Sequence, residues 1–582
     1  MINTSTKHNM QIQSLTQLES GRQNFMTLTV GVPEETDRKT YIHWIFDVDR
    51  SGSMSSRGSH DQRTRLEHVQ HTLINITEYL KTHAKETQSI HKVTIVWFSH
   101  ETNSKSAPTL TFEITGDTDV TEYKSLITMV EPSGSTSIGA AIMAADLIIP
   151  KEVSYKTALV FMSDGQPTSG CCDHNSLCGM AKTLVDRVES ATPHSMTATF
   201  IGYGTSEIGL MEKMAECTNS DYHCVESEEG AGVVYGEIAH NILNEQRKNV
   251  VFRIEGGSIY DFKTNKWTRE LAVGNMASGS ERVFHMQTTT PDELIVSMSY
   301  VDYKADQGAW EYETDVCKEV TQPMEGTINT EVEIYSIRQS VLELLSDARK
   351  WKQEHSFGLG RIALATPRML RHANIPQPPS LQRQTNAPPI PTWNSSNGIP
   401  TLDPLPQHLL PPPPVTPDTQ VRLPAPPANR HTSAPVVGSQ ARITHNQLDQ
   451  DEDTTSYNEL KMRLDSKLAF VKQKLRDMSI ESKAAGILQM LTDDLFIAAE
   501  SLDRPSGLTN IIARQTSQGT QRAYNTVNAA DFNDDSHMVS ASLTSPYAPP
   551  GTAACIRSIS QPMTPPSSSG NCPSSVVSSP TN

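Results

Sequence analysis

With 582 residues and a formal net charge of −17, the chain is long enough for several domains and lacks the basic footprint of a nucleic-acid binder. Eight cysteines over that length make no disulfide framework, and no stretch approaches the roughly 18–20 apolar residues of a membrane span. The opening stretch MINTSTKHNMQIQSLTQLESG has no apolar signal-peptide core, so residues 1–22 are expected to be disordered and the protein cytoplasmic.

Residues 23–248 are expected to form one α/β domain. Apolar runs that suit buried strands occur at Tyr41–Asp47, Val93–Phe98, Ala158–Met162, Thr197–Tyr203 and Tyr222–Val225. Between the first two, Leu66, Val69, Leu73, Ile76 and Leu80 recur at spacings of three and four, giving a helix with one apolar face. Ile138–Ile149 is apolar almost all round, and Glu207–Glu216 and Val233–Leu243 supply later helices. Strands alternating with helices predict a doubly wound, mostly parallel sheet.

The carboxyl ends of these strands share a chemistry. The first runs into Asp49-Arg50-Ser51-Gly52-Ser53, a later one into Ser163-Asp164-Gly165, and Ser133-Gly134-Ser135-Thr136 precedes the Ile138 helix. In open α/β sheets ligands bind beyond the carboxyl ends of strands, and clustered oxygens suit a hard divalent cation. One loop alone could be a helix cap, but three on one rim are not explained that way.

Asp-x-Ser-x-Ser, a Thr before an Ile-Gly-Ala helix, and Ser-Asp-Gly resemble the von Willebrand factor type A domain over about Thr40 to Glu245, at its metal-ion-dependent adhesion site. The resemblance implies Ser51, Ser53 and Thr136 as direct oxygen ligands, and Asp49 and Asp164 as ligands directly or through water. It implies Mg²⁺, with Mn²⁺ or Ca²⁺ as alternatives, and a protein partner that presents an Asp or Glu to the ion. Asp47 departs from the family, which usually has an apolar residue there. It is expected either to support the site from behind or to lie nearer the surface. A rival zinc cluster would draw on Cys171, Cys172, His174, Cys178, Cys217, His223 and Cys224, but no Cys-x-x-Cys pair occurs among them.

From Asn249 the pattern changes to alternation without helices. Val251–Ile254, Ser258–Phe262, Val283–Met286 and Leu294–Met298 predict a small antiparallel, sandwich-like domain over residues 249–330. Ile334, Ile337, Val341, Leu344, Leu345 and Ala348 then mark a helix over 331–356. Two more, marked by Leu460–Met478 and Ile487–Leu502, occupy 453–503, and the three together read as one bundle. Of the 36 prolines, 19 fall between Pro367 and Pro435, so 357–452 is expected to be a disordered insertion. Arg422–Pro427 reads as a basic PxxP ligand for an SH3-type partner, against a stiff solvated spacer. The Ser/Thr/Pro-rich tail, 504–582, is expected to be disordered.

This order of domains resembles intracellular A-domain proteins of plants, protists and large DNA viruses. The function implied is a non-enzymatic scaffold that captures an acidic residue of a partner through the ion. The alternatives are a structural component of a large assembly, such as a large DNA virus particle, and a metal-dependent enzyme. No general base or nucleophile can be named for the last.

Overall fold

The computed structural model describes residues 10–35, 38–57, 63–150, 155–203, 208–225, 230–304, 309–364, 444–478, 482–504, 507–524 and 543–561. Residues 1–359 with 453–582 make one compact unit and 360–452 a second. Of the second, only the ends of its two bordering helices are described. The proposed SH3 ligand at Arg422–Pro427 lies outside the described residues.

The predicted α/β sheet is present. Its order is Leu110–Ile114, Ile90–Phe98, Tyr41–Asp49, Lys156–Ser163, Met196–Tyr203, Asp221–Val225, all parallel except the first. The Leu110–Ile114 edge strand was not anticipated. Tyr41–Asp49 and Lys156–Ser163 are neighbours in the sheet but distant in sequence, so the chain leaves them in opposite directions. A crevice opens there, beyond their carboxyl ends.

Both faces of the sheet are covered, which is why its strands read as continuous apolar runs. Ile42, Trp44, Phe46 and Val48 pack against the Arg65–Thr87 helix through Leu66, Val69, Leu73, Ile76 and Leu80. Ile45, Leu159 and Phe161 face the Ile138–Ile148 and His174–Ala191 helices.

The antiparallel part is a sandwich, but its boundaries differ from the reading of 249–330. Met10–Ser14 and Asn24–Gly31 belong to it, in a six-stranded sheet where Asn24–Gly31 pairs with Glu281–Thr288 along its length. Met26, Leu28 and Val30 meet Phe252, Ile254, Val296 and Met298 of the four-stranded sheet in one core. Residues 10–14 and 24–31 are therefore structured and lie outside the α/β sheet, correcting both the 1–22 segment and the start at 23. Their period-two alternation marks half-buried strands, but it is set among polar residues.

The helices Thr330–Leu364, Thr444–Arg476 and Lys483–Ser501 share one core, in which Val341, Leu345, Leu464, Val471, Leu491 and Leu495 are buried. Ion pairs Arg463–Asp347 (2.8 Å) and Lys474–Glu333 (2.6 Å) link the first two. The first helix extends to Leu364 and the second begins at Thr444, so helix encroaches on both ends of the expected insertion.

The expected tail also needs correction. Gly507–Thr520 is a helix whose Ile511 enters the bundle core and whose Ile512 enters the sheet's second core. Pro550–Ile559 is another, seated on the Ala231–Leu243 helix through Cys555, Ile556 and Ile559. Ala231–Leu243 is buried on nearly every side, and a helix apolar all round needs such a cover. A Cβ added at Gly236 would stand 2.6 Å from Ile556 Cα, a backbone atom that cannot step aside alone. Gly236→Ala is therefore expected to destabilise the protein by about 1–3 kcal/mol through overpacking. A thermal melt checks this, and an unchanged midpoint would mean that the two helices are not in contact.

Candidate metal centre

The five residues singled out from the sequence converge at the crevice. Asp49 ends its strand fully buried, and each of its oxygens has a neutral donor. The Ser51 backbone N–H donates to Oδ1 at 2.8 Å and the Ser163 hydroxyl to Oδ2 at 2.6 Å. Ser51 Oγ and Ser53 Oγ are 2.9 Å apart, and the Ser53 hydroxyl donates to Asp164 Oδ1 at 2.7 Å. Thr136 joins from the third loop: the space beside Gly165 lies 3.6 Å from both Ser53 Oγ and Thr136 Oγ1.

Backbone hydrogen bonds fix the three loops to one another. Gly52 N–H donates to Gly134 O at 2.9 Å, and Ser133 N–H to Arg50 O at 2.7 Å. Arg50 reinforces this pairing by donating to Ser133 Oγ and Ser104 Oγ. Thr168 N–H and Ser169 N–H donate to Thr136 O, tying the third loop to the residues after Asp164. Gly134 adopts φ +82°, and a Cβ there would stand 2.5 Å from His100 Nδ1, so this turn needs glycine.

The cluster is closed behind and open in front. Asp49, Ser51, Thr136 and Asp164 are buried, whereas Gly52, Ser53, Ser133, Gly134 and Gln166 form an exposed rim. Burial pushes the Asp49 carboxyl up to about 6, and nearby Asp164 adds to the rise, while hydrogen bonds from Ser163 and Ser51 oppose it. A buried carboxylate held by neutral donors alone lacks a balancing positive charge. Two carboxylates and three hydroxyls are also the hard oxygen donors that Mg²⁺ or Ca²⁺ takes. The residues present fit a divalent cation.

Two features were not anticipated. Arg65, the first residue of its helix, donates from Nη1 to Asp164 Oδ2 at 2.9 Å. Ser163 orients Asp49, as described above. Asp47 is fully buried rather than near the surface, and among the described residues neither of its oxygens has a hydrogen-bond partner. Burial raises its pKa well above the usual carboxylate value, disfavouring the charged form there.

The cysteines and histidines of the zinc reading are scattered. Cys217 Sγ lies 3.3 Å from Cys178 O, Cys172 is exposed, and His223 Nδ1 lies 3.3 Å from Tyr524 Oη. Among the described residues no group of three or more His, Cys, Asp or Glu side chains is placed to hold a metal ion. At the Asp49 cluster, hydroxyls make up the remainder of the donor set. A cavity of about 420 Å³ lies away from this cluster, beside Met196, Thr197 and Tyr222.

Residues 44–166 match the profile of the von Willebrand factor type A domain, and this stretch holds all five residues. Similar solved structures include a von Willebrand factor type A protein from Catenulispora acidiphila. It is 14% identical, with 60% of this chain and 82% of that chain covered and a TM-score of 0.39. Another is the ArnB paralog VWA2 from Sulfolobus acidocaldarius, 14% identical over 61% of this chain and 87% of that one, with a TM-score of 0.33. Among proteins with curated descriptions, none matches. Among the described residues no helix is long and apolar enough to cross a membrane.

Proposed function

We propose that the protein is a non-enzymatic, cytoplasmic binding scaffold that captures an acidic residue of a partner protein through Mg²⁺ held at Asp49, Ser51, Ser53, Thr136 and Asp164. The observation that carries this reading is the buried Asp49 carboxylate, which meets only neutral donors at the floor of a cluster open on one side. When bound, the ion supplies positive charge with exchangeable coordination positions, and a partner's carboxylate can take one of them.

The chain's own residues set up the rest. Three neutral hydroxyls leave the ion less neutralised than a carboxylate cage would, which keeps it attractive to an incoming anion. Ser163 and the Ser51 N–H hold Asp49 in position, and the backbone bonds between loops preset the spacing before the ion arrives. Preset geometry lowers the entropy cost of binding.

Partners retained on the immobilised full-length chain in Mg²⁺ are expected to be lost in EDTA. They should be weakened, not lost, on the Thr136→Ala chain, which lacks one neutral ligand. Retention that ignores EDTA would overturn the reading.

A further inference from the structure

Arg65 is not explained by the helix it begins. Thr64 and Glu67 already satisfy the helix start as a capping box, with Glu67 N–H donating to Thr64 Oγ1 at 3.2 Å and Thr64 N–H to Glu67 Oε2 at 2.5 Å. A cation in the first turn faces the positive end of the helix dipole, where the helix disfavours it. The guanidinium instead reaches Asp164, whose side chain is 0% exposed, while that of Arg65 is 17% exposed.

We propose that Arg65 is the resident counter-charge of Asp164, and that a divalent cation must displace it from Asp164 Oδ2 to bind. This inference rests on the reading of the cluster as a metal centre. The two oxygens of Asp164 are engaged by the Ser53 hydroxyl on Oδ1 and by Arg65 on Oδ2. A doubly charged ion drawn to Asp164 comes within a few ångströms of a guanidinium that stays charged at any physiological pH. With Asp164 fully buried and Arg65 only partly exposed, that repulsion is less screened than at the surface. Arg65 begins its helix with its side chain 17% exposed, not sealed in the core, so that long side chain can turn away once the ion has taken over the neutralisation of Asp164. Arg65 thereby lowers metal affinity while giving the buried Asp164 carboxylate a partner.

These two roles make opposite demands, and a merely structural residue would not show both. In Arg65→Met, Mg²⁺ affinity measured by calorimetry on the full chain is expected to rise roughly tenfold, because a unit charge competing for one carboxylate is gone. The melting temperature in EDTA is expected to fall, and the increase on adding Mg²⁺ to grow. Arg65→Lys keeps the charge and should return both measurements towards the parent, which also guards against a misfolded Met variant. If Mg²⁺ binds Arg65→Met no more tightly than the parent, the counter-charge role is wrong and the metal site stands. If neither protein binds Mg²⁺, the metal reading itself fails, and this inference with it.

Discussion

Asp49→Asn is expected to abolish Mg²⁺ binding and to leave the fold in EDTA at least as stable as the parent. The binding half follows from charge: of five donors only Asp49 and Asp164 are carboxylates, and Arg65 already shares Asp164. Removing half of the negative charge is more severe than disturbing an outer-shell partner, which typically costs 10–100-fold in metal affinity. A loss of more than about 100-fold is therefore expected by calorimetry. The stability half follows from burial, which disfavours the charged carboxylate at this position. The amide is isosteric: its oxygen can still accept from the Ser51 N–H, and its Nδ2 can donate to Ser163 Oγ, whose own proton can turn to Gly165 O, 3.5 Å away. It therefore removes a desolvation cost without orphaning the Ser51 donor. Asp49→Ala would orphan both and confuse the two effects. Parent-like Mg²⁺ affinity in Asp49→Asn would show that the ion binds elsewhere.

The parallel sheet was legible because burial on both faces writes an unbroken apolar run into each strand. The convergence of the candidate residues was legible because two of their loops follow such runs and the third leads into the apolar Ile138 helix. Less regular parts were hidden for physical reasons. Met10–Ser14 and Asn24–Gly31 show only period-two alternation, and their partner Glu281–Thr288 lies some 250 residues away, so nothing local marks the pairing. Pro550–Ile559 has few large apolar residues of its own; the signal lay in its receptor, Ala231–Leu243, which is apolar on faces that one sheet cannot cover. Arg65 carries no motif. Its clue was a cation just after a Thr64-x-x-Glu67 cap, at the end of a helix where a cation is unfavourable. The sequence pattern shows what each element needs to bury, but not which distant segment meets that need.

The second large effect expected is cooperative unfolding by mild acid, with a midpoint between pH 4 and 5. Four histidines of the α/β part are kept neutral chiefly by burial: His43, His83 and His240 are held down to about 4 and His91 to about 3. Lys92 adds to the effect at His43, and His83 adds to it at His91. Each has a neutral partner: His43 Nε2 lies 2.8 Å from Thr94 Oγ1, His83 Nδ1 3.1 Å from His91 Nε2, and His240 Nδ1 3.2 Å from Asn244 Nδ2. These are bases whose folded pKa lies below the unfolded value near 6.5. Between the two values the unfolded chain binds more protons, so stability is lost as pH falls below about 6.5. At pH 5, about 1.5 units lower, each buried histidine costs about 2 kcal/mol. Half-buried His83 counts for less, so the four together cost about 6–8 kcal/mol, comparable with the whole stability of a typical domain. Asp49, Asp47 and Glu237 act in the opposite sense, because burial raises their folded pKa. Asp49, raised to about 6, returns about 1–1.5 kcal/mol between pH 7 and 5. His223 and His285, held well below the usual value by burial, add to the histidine side. The histidines therefore win. Circular dichroism along a pH series in EDTA checks this, and His91→Gln, which keeps polar atoms near Trp44 and His83, should move the midpoint to lower pH. A fold that stays intact at pH 4, or a midpoint that His91→Gln leaves in place, would mean that these histidines do not control the acid limit.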